Sequence, residues 1–326
     1  MRILFRKGSE QMNKNKISLL LCFIAGCGGL AMGYFIPETF NMENLIIGSL
    51  GMMLIVGILL FVILYLKNMK PTIEVFMKYR YLLSNLITRD LKVKYRRSFL
   101  GFLWSILNPL LMALVINAVF SRIFRFQIDY FIVYYLTGSL IFNFMTEATS
   151  GSLASVIGAS ALIKKVYIPK YIFPLEKCLF AFVNMLFSSV AVIIVILIVR
   201  MPVALTAFLF FYPMICAFIF SVGLSLILSS INVFFRDVGH LYSVWTVAWM
   251  YLTPVIYPVE VIPERLMLVM QLNPMYYYVS YFRSVVMYAT VPSLNFHLIC
   301  AAFALFFLGL GIVIFKKQQD RFILYI

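Results

Sequence analysis

The sequence predicts an all-α integral membrane protein of about eight transmembrane helices, and three observations predict it. The chain of 326 residues is 63% hydrophobic and only 12% charged, which leaves too little polar surface to cover a soluble globule. Its apolar residues gather into runs long enough to cross about 30 Å of hydrocarbon, where a helix satisfies its own backbone. Its cations fall between those runs instead of on a separate domain, so the formal charge of +15 does not point to a nucleic-acid partner.

The runs lie at 17–36, 45–66, 99–120, 130–156, 178–199, 204–235, 241–257 and 294–315. They divide the chain into a hairpin over 1–66, a juxtamembrane stretch over 67–98 and a six-helix domain over 99–326. The hairpin's first arm carries GCGGLAMG, small residues that permit close helix packing. No small-residue cleavage pattern follows it, so it reads as a retained helix. With both termini placed in the cytoplasm, only Arg122, Arg125, Arg200, Arg265 and Arg283 of the 27 Lys and Arg residues fall outside. Cytoplasmic loops retain cations, so this bias sets the orientation of a multi-pass plasma-membrane protein.

The juxtamembrane stretch places Phe76, Tyr79, Leu82, Leu83, Leu86 and Val93 at roughly helical spacing among cations, the pattern of an interfacial helix. Arg80, Asp90 and Lys94 interrupt that stripe. The segment 89–109, RDLKVKYRRSFLGFLWSILNP, then sets Arg89, Lys92, Lys94, Arg96 and Arg97 directly against a span. The membrane boundary is therefore expected near Ser98. Inside the span, Trp104, Asn108 and Pro109 supply an indole N–H, an amide and a missing backbone N–H, so this helix should face protein or a wet cavity.

Glu147 is the main ionisable residue inside a predicted span, and Asn143, Thr146, Thr149 and Ser150 make its end of that helix polar. A carboxylate there is expected to face a cavity or the protein interior. The loop 161–177, ALIKKVYIPKYIFPLEK, mixes Lys164, Lys165 and Lys170 with apolar residues around Pro169 and Pro174. It reads as a short broken helix with a partner docked on it. In 232–242, NVFFRDVGHLY, Arg236 and Asp237 form a tight charged turn. Segment 252–290 is cut by Pro254, Pro258, Pro263 and Pro274, which suits re-entrant or interfacial half-helices at the outer face. Its Tyr276, Tyr277, Tyr278 and Tyr281 suit either an aromatic belt or stacking on sugar rings.

No G-x-x-x-x-G-K-[ST] loop is present to cradle ATP. The cysteines Cys22, Cys27, Cys178, Cys216 and Cys300 and the histidines His240 and His297 show no metal-ligand spacing. No metal, cofactor or catalytic residue is expected on this chain.

Five collinear blocks carry a resemblance: RDLKVKYRRSFLGFLWSILNP, LIKKVYIPKYIFPL, NVFFRDVGHLY, TPVIYPVEVIP followed by LNPMYYYVSYFR, and a last span ending FKKQQDRF. Over about 79–326 the chain resembles the membrane subunits of type-2 ABC exporters for lipid-linked polysaccharides, the O-antigen, capsule-like and wall teichoic acid export permeases. The resemblance implies a homodimer of six-span cores around a translocation path. It implies a separate nucleotide-binding subunit that holds ATP and Mg. It makes about 75–97 the interface helix and 162–174 the coupling helix, with Leu162, Lys164, Lys165, Tyr167, Ile168, Pro169, Arg236 and Asp237 meeting the ATPase. Arg89, Lys92, Arg96, Arg97, Trp104, Glu147 and the four tyrosines are the candidate substrate path. The cations would attract a carrier pyrophosphate or act simply as topology anchors. The hairpin 1–66 has no counterpart in the usual six-span subunit.

The competing readings are a type-2 ABC exporter of a drug or another lipid and, from another class, a membrane glycosyltransferase or polymerase. Short loops and few acids argue against the second. A secondary transporter would need charge pairs or broken helices at midmembrane, as inverted repeats for example, and neither is found.

Overall fold

The computed structural model describes residues 70–96, 98, 100–122, 128–166 and 168–326. The predicted spans 17–36 and 45–66 lie outside the described residues. The chain divides into two compact units, residues 1–78 and 79–326. Of the first unit, the described part is the opening of helix α1.

The described residues form helices and turns without a strand. The helices are α1 (Lys70–Tyr95), α2 (Trp104–Arg122), α3 (Phe131–Leu153), α4 (Ile172–Val199), α5 (Phe211–Phe234), α6 (Val238–Tyr251), α7 (Glu264–Gln271), α8 (Pro274–Val286) and α9 (Leu294–Gln318). Three are long and apolar enough to cross a membrane: α4, α5 together with its 3-10 lead-in from Leu205, and α9 with the turn that follows it. The apolar part of α2, Trp104–Phe120, is shorter. Helix α3 has 23 residues, about 34 Å at the α-helical rise, and its second half carries the polar run around Glu147.

One expected span is corrected. In place of a helix over 241–257, α6 runs from Val238 to Tyr251 and is 14 residues long. Pro254 has no N–H to continue it and disfavours the helical region for Thr253 before it, so the chain turns over Leu252–Val255 instead. The membrane-boundary expectation near Ser98 coincides with the break between α1 and α2. There Gly101 takes φ +48°, which costs glycine little because it lacks a Cβ.

Helix α3 is the centre of the second unit, buried without interruption from Val133 to Phe142. It is packed by α2, α4, α5, α6 and α8. Small residues let these helices approach. Ser152 Oγ donates to Ala148 O and Pro174 O, and the Cys178 thiol meets Ser225 Oγ at 3.2 Å. Helices α5 and α9 cross backbone to backbone at Gly223 and Gly311. A Cβ on Gly311 would collide with the Gly223 carbonyl, and one on Gly223 with the peptide between Phe307 and Leu308.

The helix ends sort into two groups, as alternating spans require. At the basic end, Asn232 Nδ2 donates to Leu153 O at 2.9 Å, and the Phe234 ring packs on Phe322. At the opposite end, Tyr134 OH donates to Tyr257 O at 2.9 Å and Tyr212 OH to His297 O at 2.7 Å. Helix α8 lies at that opposite end, with α7 packed beside it. Pro274 begins α8 at a position where a missing N–H costs nothing, and Asn273 caps the helix by accepting from Met275 N.

The opposite end also holds a buried cation. Arg283, read from sequence as an outer-loop charge, is 3% exposed. Its guanidinium donates to Pro254 O (2.5 Å), Val255 O (2.9 Å) and Tyr134 O (3.1 Å), and its Cζ lies 3.5 Å from the Tyr134 ring centroid. The planar fork thereby ties α8 to the turn after α6 and to the start of α3.

Candidate functional site

A cavity of about 840 Å³ opens beside α3 and is walled by one face each of three helices. Helix α2 contributes Trp104, Ser105, Asn108, Pro109, Met112 and Ile116; α3 contributes Tyr135, Leu136, Ser139, Leu140, Asn143, Phe144 and Glu147; α4 contributes Asn184, Met185, Ser188 and Val192. Each set follows the i, i+3, i+4 spacing of a single helical face. Trp104 and Ile116, like Tyr135 and Glu147, stand twelve positions apart, so the cavity runs about 18 Å along the helices. Its volume lies in the range of small-molecule sites.

The lining changes character along that length. At the opposite end it is apolar and aromatic, with Ile116, Tyr135, Leu136, Val192 and Ile256. At the basic end it gathers amides, hydroxyls and a charge pair. There Lys94 Nζ lies 2.7 Å from Glu147 Oε1, and Asn184 Nδ2 donates to Glu147 Oε2 at 2.7 Å. Tyr95 OH donates to Asn184 Oδ1 at 2.8 Å, and Ser105 Oγ to the same oxygen at 3.0 Å. The hydroxyls of Tyr95 and Ser105 also meet. One network therefore joins the last turn of α1 to α2, α3 and α4. Both members of the ion pair keep about a third of their side-chain surface exposed, so the cavity mouth is wet and the pair is partly screened.

Two of the three residues that interrupt the apolar stripe of α1, Asp90 and Lys94, have partners that explain the interruption. Leu83 and Leu86 are buried and Leu82 half-buried, while Val93 is 63% exposed, a correction to its place on the stripe. Asp90 and Lys94, four residues apart and on one face, occupy the next positions instead. Asp90 contacts Lys177 through Oδ2 and Arg89 at 2.8 Å. Burial alone would raise the Asp90 carboxyl, but the hydrogen bonds from Lys177 and Arg89 hold it below its ordinary value.

Beyond α3 the chain makes two short helical turns, Ser155–Gly158 and Ser160–Ile163, before Lys164, Lys165 and Val166 reach into solvent. Leu162 is half-buried and Ile168 is buried, so the loop is anchored by its apolar side. Tyr167 lies outside the described residues. Pro169 precedes α4, and Pro174 sits within the first turn of α4 instead of breaking a helix, because the first turn leaves that N–H unused. Arg236 and Asp237 are both exposed in the tight turn between α5 and α6.

The family model for ABC-2 type transporters matches residues 81–287. The chain belongs to this family.

Among ABC-2 relatives, the O-antigen export system permease protein RfbA of Klebsiella pneumoniae is 32% identical over 248 residues, 74% of this chain and 93% of that protein. RfbA of Myxococcus xanthus is 28% identical over 75% of this chain and 95% of its own length. The capsule polysaccharide export inner-membrane protein CtrC of Neisseria meningitidis is 24% identical over 61% of this chain and 76% of its own length.

Within this ABC-2 fold the sequence-predicted path residues fall in three places. Trp104 and Glu147 line the cavity. Arg89, Lys92 and Arg96 are exposed on and just after α1, and Arg97 lies outside the described residues. The tyrosines of α8 pack away from the cavity. Tyr277 lies against Phe296 and Phe303, Tyr278 OH reaches Cys300 O at 3.3 Å, and Tyr281 OH meets His297 Nε2 at 2.7 Å. Tyr276 is half-buried beside Tyr277. Sequence reading missed Tyr95, Ser105, Asn184 and Ser188. Asn184 and Ser188 were recognisable as polar residues at i, i+4 within an otherwise apolar span.

Proposed function

We propose that the chain is the permease subunit of an ATP-driven exporter that carries a lipid-linked polysaccharide outward across the bacterial inner membrane. The observation that carries this reading is the chemistry of the cavity. Asn108 and Asn143 each offer a donor and an acceptor on one amide, the pattern that pairs with vicinal sugar hydroxyls. Trp104 and Tyr135 add flat apolar faces with a polar edge, suited to stacking on pyranose rings. The O-antigen and capsule export names of the relatives support a glycan as the cargo, and the carrier is an undecaprenyl-pyrophosphate-type lipid. Wall teichoic acid is the polyol-phosphate variant of the same reading.

Two copies enclose the path. Asn108 and Asn143 are exposed on membrane helices, where lipid cannot hydrogen-bond an amide. A second copy across the cavity closes a wet passage over them. ATP and Mg are held by a separate ATPase subunit, which docks on Lys164, Lys165 and Val166 and on the Arg236–Asp237 turn. Both termini face the cytoplasm. Closure of the ATPase pair moves these loops, and α4 and α5, which begin and end at them, transmit the motion to the cavity walls. The cations of α1 gather the pyrophosphate at the inner mouth.

Disrupting the gene and complementing it tests this reading. Wild type restores surface polysaccharide, whereas Trp104→Ala combined with Asn143→Ala inserts normally and leaves lipid-linked glycan on the inner leaflet. Normal surface polysaccharide in the disrupted strain contradicts the assignment.

A further inference from the structure

After α9 the chain folds back in a 3-10 turn, Gln319–Leu324, whose Phe322 is completely buried. The Phe322 ring packs edge-on against Phe234 (centroids 5.8 Å apart) and Phe315 (5.3 Å), and Tyr325 covers Phe234 from another side at 4.9 Å. Phe234 stands two residues before Arg236. On the same turn, Gln319 O accepts from Lys170 Nζ at 2.5 Å, and that ammonium lies 5.9 Å from the Phe322 centroid. Lys170 belongs to the loop 161–177.

One short segment therefore touches both basic-end loops at once. Partial burial holds Lys170 below its ordinary value against the pull of Asp320, so the side chain has given up part of its hydration. The far end of the same loop is held separately, by Lys177 on Asp90. Loops on a surface are otherwise mobile, and ordering them at the moment of binding weakens affinity.

We propose that residues 319–326 form a latch, with Phe322 as its plug and Lys170 as its tie, that fixes the Lys170 loop and the Arg236–Asp237 turn against each other as one prearranged docking surface for the ATPase subunit. Phe322 and Lys170 are positioning residues, since they act through the exposed side chains of the two loops. The docking half rests on the reading given under Proposed function.

The test uses the full-length permease in nanodiscs, alone and with its purified ATPase subunit. Hydrogen–deuterium exchange of 161–171 and 232–240 is measured for wild type, Phe322→Ala, Phe322→Leu, Lys170→Met and Lys170→Arg, followed by ATPase affinity. The latch predicts faster exchange in both loops for Phe322→Ala and Lys170→Met, with ATPase affinity lowered about tenfold, and recovery in Phe322→Leu and Lys170→Arg. Lys170→Met keeps the aliphatic stem and serves if Phe322→Ala does not fold. Unchanged exchange in either loop overturns the latch. Faster exchange with unchanged affinity overturns its role in docking. If the wild type binds no ATPase subunit, the docking half falls with the exporter reading, and the exchange data still decide the latch.

Discussion

The ammonium of Lys94 lies 2.7 Å from the carboxylate of Glu147, so the last turn of α1 is tied to the polar end of α3 inside the cavity wall. Asn184 holds the second carboxylate oxygen and Tyr95 and Ser105 hold Asn184, which makes Glu147 the hub of four helices. A partly exposed pair of this kind contributes about 1 kcal/mol or less on its own, so its importance lies in geometry.

Charge reversal at this hub gives the first prediction. Lys94→Glu and Glu147→Lys each lower export several-fold, and the doubly reversed protein recovers at least half of it. A double-mutant cycle on export and on thermal unfolding separates the pair from independent effects. Additive losses in the double variant contradict the pairing.

Arg283 gives the second. Arg283→Met removes donors from Pro254 O, Val255 O and Tyr134 O in a buried site, at a cost of about 3 kcal/mol. Arg283→Lys does not restore stability, because one ammonium cannot reproduce the planar fork. Thermal unfolding in detergent reads both, and a wild-type transition in either variant contradicts the clamp.

The crossing of α5 and α9 gives the third. Gly311→Ala forces a methyl group into the Gly223 backbone and lowers stability by about 1–3 kcal/mol. Gly158→Ala meets nothing within 4 Å and stays within about 0.5 kcal/mol of wild type. Equal melting of the two variants contradicts the close approach.

Asp90 gives a pH dependence. Its carboxyl is held below the ordinary value of 3.8, so the folded state binds this proton less readily than the unfolded one. The stabilisation is present above that ordinary value and is lost as pH falls through the depressed folded value. The melting-temperature gap between wild type and Asp90→Asn is therefore full at neutral pH and narrows below pH 3.8. A gap independent of pH down to full acid unfolding contradicts the ion contacts.

How much of this was legible in sequence depended on whether the signal was local. The spans of α4, α5 and α9 are carried by composition alone. Trp104, Asn108, Asn143 and Glu147 were recognisable as wall residues because polar groups in an apolar helix demand partners. Asn184 escaped notice among its apolar neighbours, although its spacing to Ser188 marked the same face. Arg283 misled, since a cation near an outer loop is ordinarily solvated and only tertiary packing brings three carbonyls to it. The tyrosines of α8 misled for a related reason. Their amphipathic rings suit a membrane belt or a sugar as well as the packing against α5 and α9 that claims them here. The length of α6 was decided by Pro254, whose effect on Thr253 is local and could have been applied.

The central claim is that this cavity handles a lipid-linked glycan under the control of an ATPase partner. The most direct measurement is ATP hydrolysis by the permease reconstituted in lipid with its ATPase subunit, titrated with lipid-linked polysaccharide, for wild type and for Trp104→Ala with Glu147→Gln. Stimulation by the glycan in wild type and its loss in the cavity variant is the predicted result. Equal stimulation of both proteins, or none in wild type, would contradict it.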